Sequence, residues 1–307
     1  MNFYNMFVAI ATLFILGAVG YLIRKKDVLK DEANSNIPKL ITEVTLPCLI
    51  ISSMQIEYTW DKVADMGLML LVGVVAFVIQ YGFVALIPGI FGLADKHEKG
   101  IYQFMVMFQN SGFIGIPVLA TIFGEEAIFF GAIYIIPYRV LIMTLGVKMM
   151  DSRIRKFNYK ELLNPGMAAT VIGLFLFFTQ IKLTDFINQP LEIVGGLTTP
   201  LAMLFIGASM IDLKFEKIFV NKRMYIISFI RLLAIPIILL IVIKGFVTNE
   251  IARGVPVIIH AMPVATLCTI FAKEYDNNVD LASSGVFMTT LLSMVTIPIV
   301  ATLLLMV

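Results

Sequence analysis

Long apolar stretches with almost no charge recur along this chain, and they constrain its fold more than any other feature. Each is close to the roughly 20 apolar residues that a helix needs to cross a bilayer. Hydrophobic residues make up 59% of the 307 residues and charged residues 14%, whereas a soluble domain has about 45–50% and about 25%. A soluble core cannot bury this excess, so the sequence predicts an all-α membrane protein embedded in a lipid bilayer.

Ten transmembrane helices are predicted, joined by short connections. Their predicted ranges are 3–23, 37–53, 66–88, 100–123, 126–149, 165–181, 190–211, 222–245, 252–272 and 280–305. The polar linker 151–163 separates residues 1–150, with five helices, from residues 164–307, with the other five. An odd number of spans turns the second half upside down relative to the first, so we expect two inverted five-helix repeats.

The distribution of positive charge predicts the orientation of these helices. Lysine and arginine concentrate in the cytoplasmic loops of multi-pass proteins. In this chain they concentrate in the loops that follow the first, third, fifth, seventh and ninth helices. The loops on the opposite side hold only Lys62, Lys182, Lys244 and Arg253. Both termini are therefore expected to be extracytoplasmic.

The fourth predicted helix carries polar and helix-breaking residues near its middle. They are Asn110, Ser111, Gly112, Gly115 and Pro117. Proline cannot donate a backbone hydrogen bond and glycine weakens a helical turn. Freed backbone groups are costly in hydrocarbon unless they are buried in protein or line a cavity. We therefore expect helix four to be broken beside a binding site.

The ninth predicted helix has the same character, with Pro263 between His260 and Thr266. Two broken helices in opposite orientations are expected to cross at the bilayer midplane. Their half-helix N-termini would favour a bound anion and their C-terminal ends a cation. The alternative is a pair of proline kinks without a ligand.

Ionisable residues inside predicted spans are further candidates for a site. Arg139 can bind a carboxylate through two hydrogen bonds or pair structurally with another residue, and Arg231 can also extend to the cytoplasmic face. Glu43, beside Pro47, is a candidate for ion or proton coupling, for pairing with Arg139, or for a hydrogen bond to a neighbouring helix. His260 can titrate near neutral pH, or it can be a hydrogen-bonded core residue.

Motifs for catalysis or metal binding are missing from the sequence. It has no His-Glu-x-x-His pattern, no glycine-rich phosphate loop and no Gly-x-Ser-x-Gly turn. The two cysteines, Cys48 and Cys268, lie in apolar spans without metal-binding spacing. The net charge of +2 gives no reason to expect nucleic acid. We therefore expect no enzyme, no cofactor and no metal.

The motif that runs from Asn110 through Gly115 and Pro117 to Gly124 resembles the fourth helix of the auxin efflux carrier family. This family includes the plant PIN-formed carriers and bacterial malate or malonate permeases. Three other stretches resemble the same family, so that the similarity covers essentially the whole chain. They are Phe3-Tyr4 with Gly20-Tyr21, Leu46-Pro47, and Pro263 followed by Phe271-Ala272-Lys273-Glu274-Tyr275.

The resemblance implies two inverted repeats in which helices one, two, six and seven form a scaffold. The other six helices would form a transport domain, with helices four and nine crossing near the substrate. It also implies an organic-anion substrate and elevator-type alternating access. The short linker 151–163 is typical of a compact prokaryotic member, so we expect the plasma membrane of a prokaryote.

The sequence therefore predicts a secondary active transporter of a small carboxylate such as malate, malonate or an auxin-like acid. A coupling ion, proton or sodium, is an open alternative to uniport. A channel and a membrane sensor for a small solute are alternative functions. Gly17, Gly20 and Gly173 permit close helix packing, either within the chain or between the two chains of a homodimer.

Overall fold

Helices make up all the regular structure of the residues that the computed structural model describes, which are 3–93, 95–151, 164–211 and 221–306. One isolated antiparallel bridge joins Gln109 to Val264. The predicted linker 151–163 lies outside the described residues beyond Asp151.

Helix occurs in each of the ten predicted ranges. The helices of the first half are α1 Phe3–Lys25, α2 Asp31–Leu40, α3 Leu46–Ser53, α4 Trp60–Phe91, α5 Lys96–Met107, α6 Ile116–Phe123, α7 Glu125–Leu141 and α8 Val147–Met150. Those of the second half are α9 Pro165–Thr179, α10 Asp185–Gly196, α11 Thr198–Ser209, α12 Lys222–Phe229, α13 Ile235–Ile243, α14 Glu250–His260, α15 Leu267–Glu274 and α16 Val279–Leu305. The all-helical class is confirmed, while the number of membrane crossings stays a prediction.

Five helical segments within the described residues are long and apolar enough to cross a membrane. They are Trp60–Phe91, Glu125–Met150, Asp185–Ser209, Lys222–Ile243 and Val279–Leu305. The outer face of α4 is apolar: Leu71, Val74 and Val78 recur at helical spacing and are all exposed. A surface helix of a soluble protein would place polar side chains at these positions. These apolar outer faces therefore fit a lipid environment.

Several helices widen locally into π-helical turns. Within the described residues these turns are Ile41–Thr45, Ser111–Gly115, Ile142–Gly146 and Ile230–Ala234. Three of the four end two residues before a proline, at Pro47, Pro117 and Pro236. Proline lacks an N–H, and its ring clashes with the carbonyl four residues earlier. A wider turn before each proline accommodates that missing bond without ending the helix.

The chain divides into two compact units, each built from separate segments. The first unit comprises Met1–Leu68, Gly112–Ile133 and Lys160–Leu213. Within it, α1 packs against α11 so closely that a Cβ on Gly20 or Gly207 would clash with backbone atoms.

The glycines that permit a homodimer in the sequence are used for packing inside this first unit. Gly17 lies against Gly207, and Gly173 lies against Met54. Their small size is therefore explained by contacts within the chain, and it gives no support to a homodimer.

The second unit comprises Met69–Ser111, Tyr134–Tyr159 and Lys214–Val307. In it, α16 contacts α5, α12, α14 and α15, and Gly285 of α16 lets Met105 of α5 approach its backbone. The residues at which helices four and nine are interrupted, 108–110 and 261–266, both belong to this unit.

Neither unit coincides with a half of the chain, because each combines segments from both halves. The repeats 1–150 and 164–307 therefore stay a prediction about internal symmetry. The predicted scaffold helices one, two, six and seven fall in the first unit. Residues 112–133 also belong to that unit, although the resemblance assigns helices four and five to the transport domain.

Candidate functional site

The breaks in helices four and nine are present and are paired with each other. Helix α5 ends at Met107 and α14 ends at His260, and the backbone then leaves the helical conformation. These non-helical stretches, residues 108–110 and 261–266, are what we call the crossover. The break in helix four begins well before Pro117, which lies in the first turn of α6.

Two backbone hydrogen bonds hold the crossover strands together. The amide of Asn110 donates to the carbonyl of Pro263 over 2.8 Å, and the amide of Ala265 donates to the carbonyl of Phe108 over 3.0 Å. Backbone groups that leave a helix inside a membrane need such internal partners. Each break thus supplies hydrogen-bond partners for backbone groups of the other.

Side chains from two other helices complete the hydrogen bonding of the crossover backbone. The amide of Val264 donates to Oγ1 of Thr289, on α16, over 3.1 Å. The hydroxyl of Tyr138, on α7, donates to the carbonyl of Gln109. All four of these residues are buried, so water does not provide the alternative partner.

Arg231 connects the ends of the two interrupted helices. Its Nη2 donates to the carbonyl of His260 over 3.1 Å, and its Nη1 makes a longer bond of 3.4 Å to the carbonyl of Val106. The side chain is 0% exposed. Among the described residues, no carboxylate forms an ion pair with it. Arg231 therefore places a positive charge beside the crossover that bonds to backbone carbonyls and to no carboxylate of the described residues.

His260 is held by an aromatic residue of α7. Its Nε2 lies 2.7 Å from the hydroxyl of Tyr134, and its ring packs edge-on against Tyr134 and Phe77. The other ring nitrogen, Nδ1, is buried without a partner in the described part of the chain. The imidazole is therefore fixed in orientation and has one hydrogen-bonding position left.

Buried donors without partners gather on three consecutive residues of helix four. They are Nε2 of Gln109, Nδ2 of Asn110 and Oγ of Ser111, judged over the described residues. The Ser111 hydroxyl lies close to the phenol of Tyr138. Unpaired buried donors cost free energy, so this cluster marks a place where a polar ligand would supply the missing acceptors.

Gln80 of α4 extends this polar cluster. Its Nε2 donates to Oε1 of Gln109 over 3.4 Å, and its own Oε1 is buried without a partner among the described residues. Gln80 is 0% exposed within an otherwise apolar helix. A polar side chain in that position needs polar neighbours, which the crossover provides.

Two other predicted site residues lie in the second unit with different surroundings. Arg139 follows Tyr138 on α7, is half-buried, and makes no hydrogen bond or ion pair within the described residues. Thr266 is exposed and directly precedes α15. Asn110, Ser111, Arg231, His260 and Pro263 are brought together at the crossover.

The remaining predicted residues belong to the first unit. Gly112 and Gly115 are in a π-helical turn and Pro117 follows it. Glu43 lies in another π-helical turn, where its side chain is exposed. It makes no hydrogen bond or ion pair in the part of the chain that the structure describes.

Gln80, Gln109, Tyr134, Tyr138 and Thr289 of the site were not predicted from the sequence. Gln80 and Gln109 were detectable as amides within apolar spans. Tyr134, Tyr138 and Thr289 were not detectable, because a tyrosine or threonine in an apolar helix is common and their partners are remote in sequence.

A separate polar cavity of about 350 Å³ lies at the ends of α5 and α16, away from the crossover. It is lined by Asp95, His97, Glu98, Asp276, Asn277 and Asn278. Its acidic lining does not suit an anion, and none of the predicted site residues contributes to it. Among the described residues, no three His, Cys, Asp or Glu side chains are grouped so that they could hold a metal.

Comparisons with known proteins address the chain as a whole. The sequence model of a family described as membrane transport protein matches residues 5–161 and 152–301. An "uncharacterized transporter" of Methanothermobacter thermautotrophicus is 26% identical over 296 residues, which cover 94% of this chain and 95% of that protein. Another, of Methanocaldococcus jannaschii, is 27% identical over 304 residues, covering 93% and 94%.

These matches extend over nearly the whole chain. Both relatives are named as transporters and neither as an enzyme. The chain belongs to the membrane transport protein family, which is the auxin efflux carrier family that the sequence motifs resemble.

Proposed function

We propose that this protein is a secondary active transporter that carries a small organic anion past the crossover. The observation that carries the proposal is the cluster of buried, unpartnered donors on Gln109, Asn110 and Ser111. It lies in the same unit as Arg139, which is half-buried and makes no hydrogen bond or ion pair within the described residues. A carboxylate accepts several hydrogen bonds and carries the opposite charge, so it is the ligand that fits best.

The proposed substrate contacts come from both broken helices. On helix four they are the side chains of Asn110 and Ser111. On helix nine they are Nδ1 of His260 and the hydroxyl of Thr266, which precedes the positive N-terminal end of α15. Arg139 is the proposed cationic contact, since it is half-buried and unpaired among the described residues.

Backbone shape is the proposed contribution of the glycines and prolines. Pro263 presents its carbonyl to Asn110 and so fixes the crossover. Gly112, Gly115 and Pro117 keep the backbone after Asn110 in a wide π-helical turn.

We further propose that ten membrane-spanning helices form two inverted repeats and operate by an elevator mechanism. Elevator transport needs two bodies that move relative to each other, and the division of the chain into two compact units supports this. The charge bias of the loops supports extracytoplasmic termini. The archaeal relatives support a prokaryotic plasma membrane.

Ion or proton coupling is proposed to involve Glu43. Its exposed carboxylate lies beside Pro47 and has no hydrogen bond or ion pair within the described residues. A carboxylate in such a position can take up and release a proton during a transport cycle.

The experiment that tests this function is uptake into liposomes that contain the purified protein. Radiolabelled malate, malonate and indole acetate are each supplied with and without a pH gradient and a membrane potential. We expect saturable uptake of one acid, which Asn110→Ala abolishes. The matched control is Gln103→Ala, because Gln103 is an amide on the same helix that bonds to Val84 rather than to the crossover.

Two results contradict the proposal. One is a folded protein that takes up none of the acids, which redirects the search to cations, neutral solutes or a sensor. The other is single-channel current in planar bilayers, which identifies a channel.

A further inference from the structure

Each helix that ends at the crossover leaves carbonyl groups without helical partners. Helices α5 and α14 end at Met107 and His260, and the last four carbonyls of a helix have no N–H within it. The C-terminal end of a helix also carries a partial charge of about −0.5. Two such ends close together therefore form a negative site of about one unit of charge.

One guanidinium group occupies this negative site. Arg231 donates to the carbonyl of His260, at the end of α14, and to that of Val106, in the last turn of α5. Arginine stays protonated inside proteins, so it brings one positive charge. That charge balances the two helix ends, which explains how Arg231 can be fully buried with no carboxylate partner among the described residues.

Transporters with broken helices commonly use such C-terminal helix ends and unwound carbonyls to bind a coupling cation. We propose that Arg231 is a built-in cation that takes the place of a coupling Na⁺ at this crossover. Its role is to position the two interrupted helices, and no Na⁺ is needed there in the transport cycle. The inference rests on the proposed transport function only in its second part, that transport needs no Na⁺ at this crossover.

The local backbone of Arg231 supports a positioning role. The residue lies in the π-helical turn Ile230–Ala234, which precedes Pro236. Both terminal nitrogens of its side chain bond to backbone carbonyls, and only Nε is without a partner among the described residues. The two terminal nitrogens, which are the atoms that would bind a carboxylate, are therefore already bonded to the protein backbone.

The test measures thermal unfolding of the purified protein in chloride salts of Na⁺, K⁺ and choline at equal ionic strength. Wild type is expected to show the same Tm in all three salts. Arg231→Ala removes the cation but leaves its carbonyl partners, so we expect a Tm lower by roughly 5 °C or more. Low-millimolar methylguanidinium, or Na⁺ relative to choline, is expected to restore part of that loss in Arg231→Ala and to leave wild type unchanged.

A second variant separates loss of charge from loss of packing. Arg231→Lys keeps the charge without the planar fork, so its Tm is expected to fall between those of wild type and Arg231→Ala, with no response to Na⁺ or methylguanidinium. If Arg231→Ala does not fold, wild type and Arg231→Lys still test the proposal. A Na⁺ response in either of them overturns it.

Two further results overturn the proposal. One is Arg231→Ala with the wild-type Tm and abolished uptake, which makes Arg231 a substrate contact. The other is wild-type uptake that requires Na⁺ and a wild-type Tm that rises in Na⁺.

The Tm measurements need no substrate, so this test and the test of transport fail independently. If none of the acids is transported while the Tm results are as expected, the proposed function fails and the cation assignment stands. If an acid is transported only with Na⁺ and the wild-type Tm rises in Na⁺, the proposed function stands and the cation assignment fails.

Discussion

Replacing Thr289 with valine tests the side-chain support of the crossover. Oγ1 of Thr289 accepts the hydrogen bond of the Val264 amide, and both residues are almost fully buried. Valine has nearly the same shape but no acceptor, so the variant leaves one buried N–H unsatisfied. This loss costs about 1–3 kcal/mol, or a decrease of about 2–10 °C in Tm.

The matched control for this variant is Thr290→Val. Thr290 is the next residue of α16, and its hydroxyl donates to the carbonyl of Val286 within the same helix. That carbonyl lies inside the helix, where it also accepts a backbone N–H, so valine leaves it with a partner. The control is therefore expected to change stability by at most about 0.5 kcal/mol. Thr289→Ser keeps the acceptor and is expected to retain most of the stability.

The assay is thermal unfolding of the purified variants in one detergent, together with uptake in liposomes. Thr289→Val is expected to be less stable than Thr290→Val and slower in uptake, because the crossover is less firmly held. Equal stability of the two valine variants refutes the assigned role of the Val264–Thr289 bond.

Further predictions concern helix packing and surface charge. Gly207→Ala is expected to destabilise the protein by about 1–3 kcal/mol, because a Cβ there would clash with the backbone of Gly17. Gly196→Ala is its control, since the space beside Gly196 is open, and a Tm as low as that of Gly207→Ala would contradict the packing argument. Glu98→Gln breaks the 2.7 Å ion pair with Arg223, but both side chains are partly exposed, so we expect a loss below about 1 kcal/mol that shrinks at high salt. A larger loss, independent of salt, would show that this ion pair has a greater role.

Local sequence signals were sufficient to predict the helices and the existence of both breaks. Apolar length determines where a membrane helix can form, and glycine, proline and consecutive polar residues mark where it is weak. The Pro263 break and the polar residues Asn110 and Ser111 are of this kind. The structure places Pro263 and Asn110 at the crossover and Ser111 directly after it.

The position of the break in helix four depends on partners that are remote in sequence. Helix α5 ends at Met107, before the glycines and Pro117, because Phe108 and Asn110 pair with helix nine. Pro117 itself is accommodated by a π-helical turn. A proline therefore indicates a distortion of the helix but not the residue at which the backbone leaves it.

The environments of the charged residues could not be predicted from the sequence either. Intramembrane charge makes both arginines candidates for a ligand site, and depth in the span favours Arg139, because Arg231 can extend to the cytoplasmic face. In the structure Arg231 bonds to backbone carbonyls, while Arg139 is half-buried without a bond to the described residues. The difference comes from tertiary contacts between helices far apart in the chain.

The central claim is that this protein transports a small carboxylate past the crossover. It is tested most directly by counterflow. Liposomes with the purified protein are loaded with unlabelled malonate or malate and diluted into a trace of the same labelled acid. We predict transient accumulation of label with wild type and Gln103→Ala, and none with Asn110→Ala, because only a carrier that returns with bound substrate exchanges in this way. Absence of accumulation with folded wild type, or full accumulation with Asn110→Ala, would contradict the account.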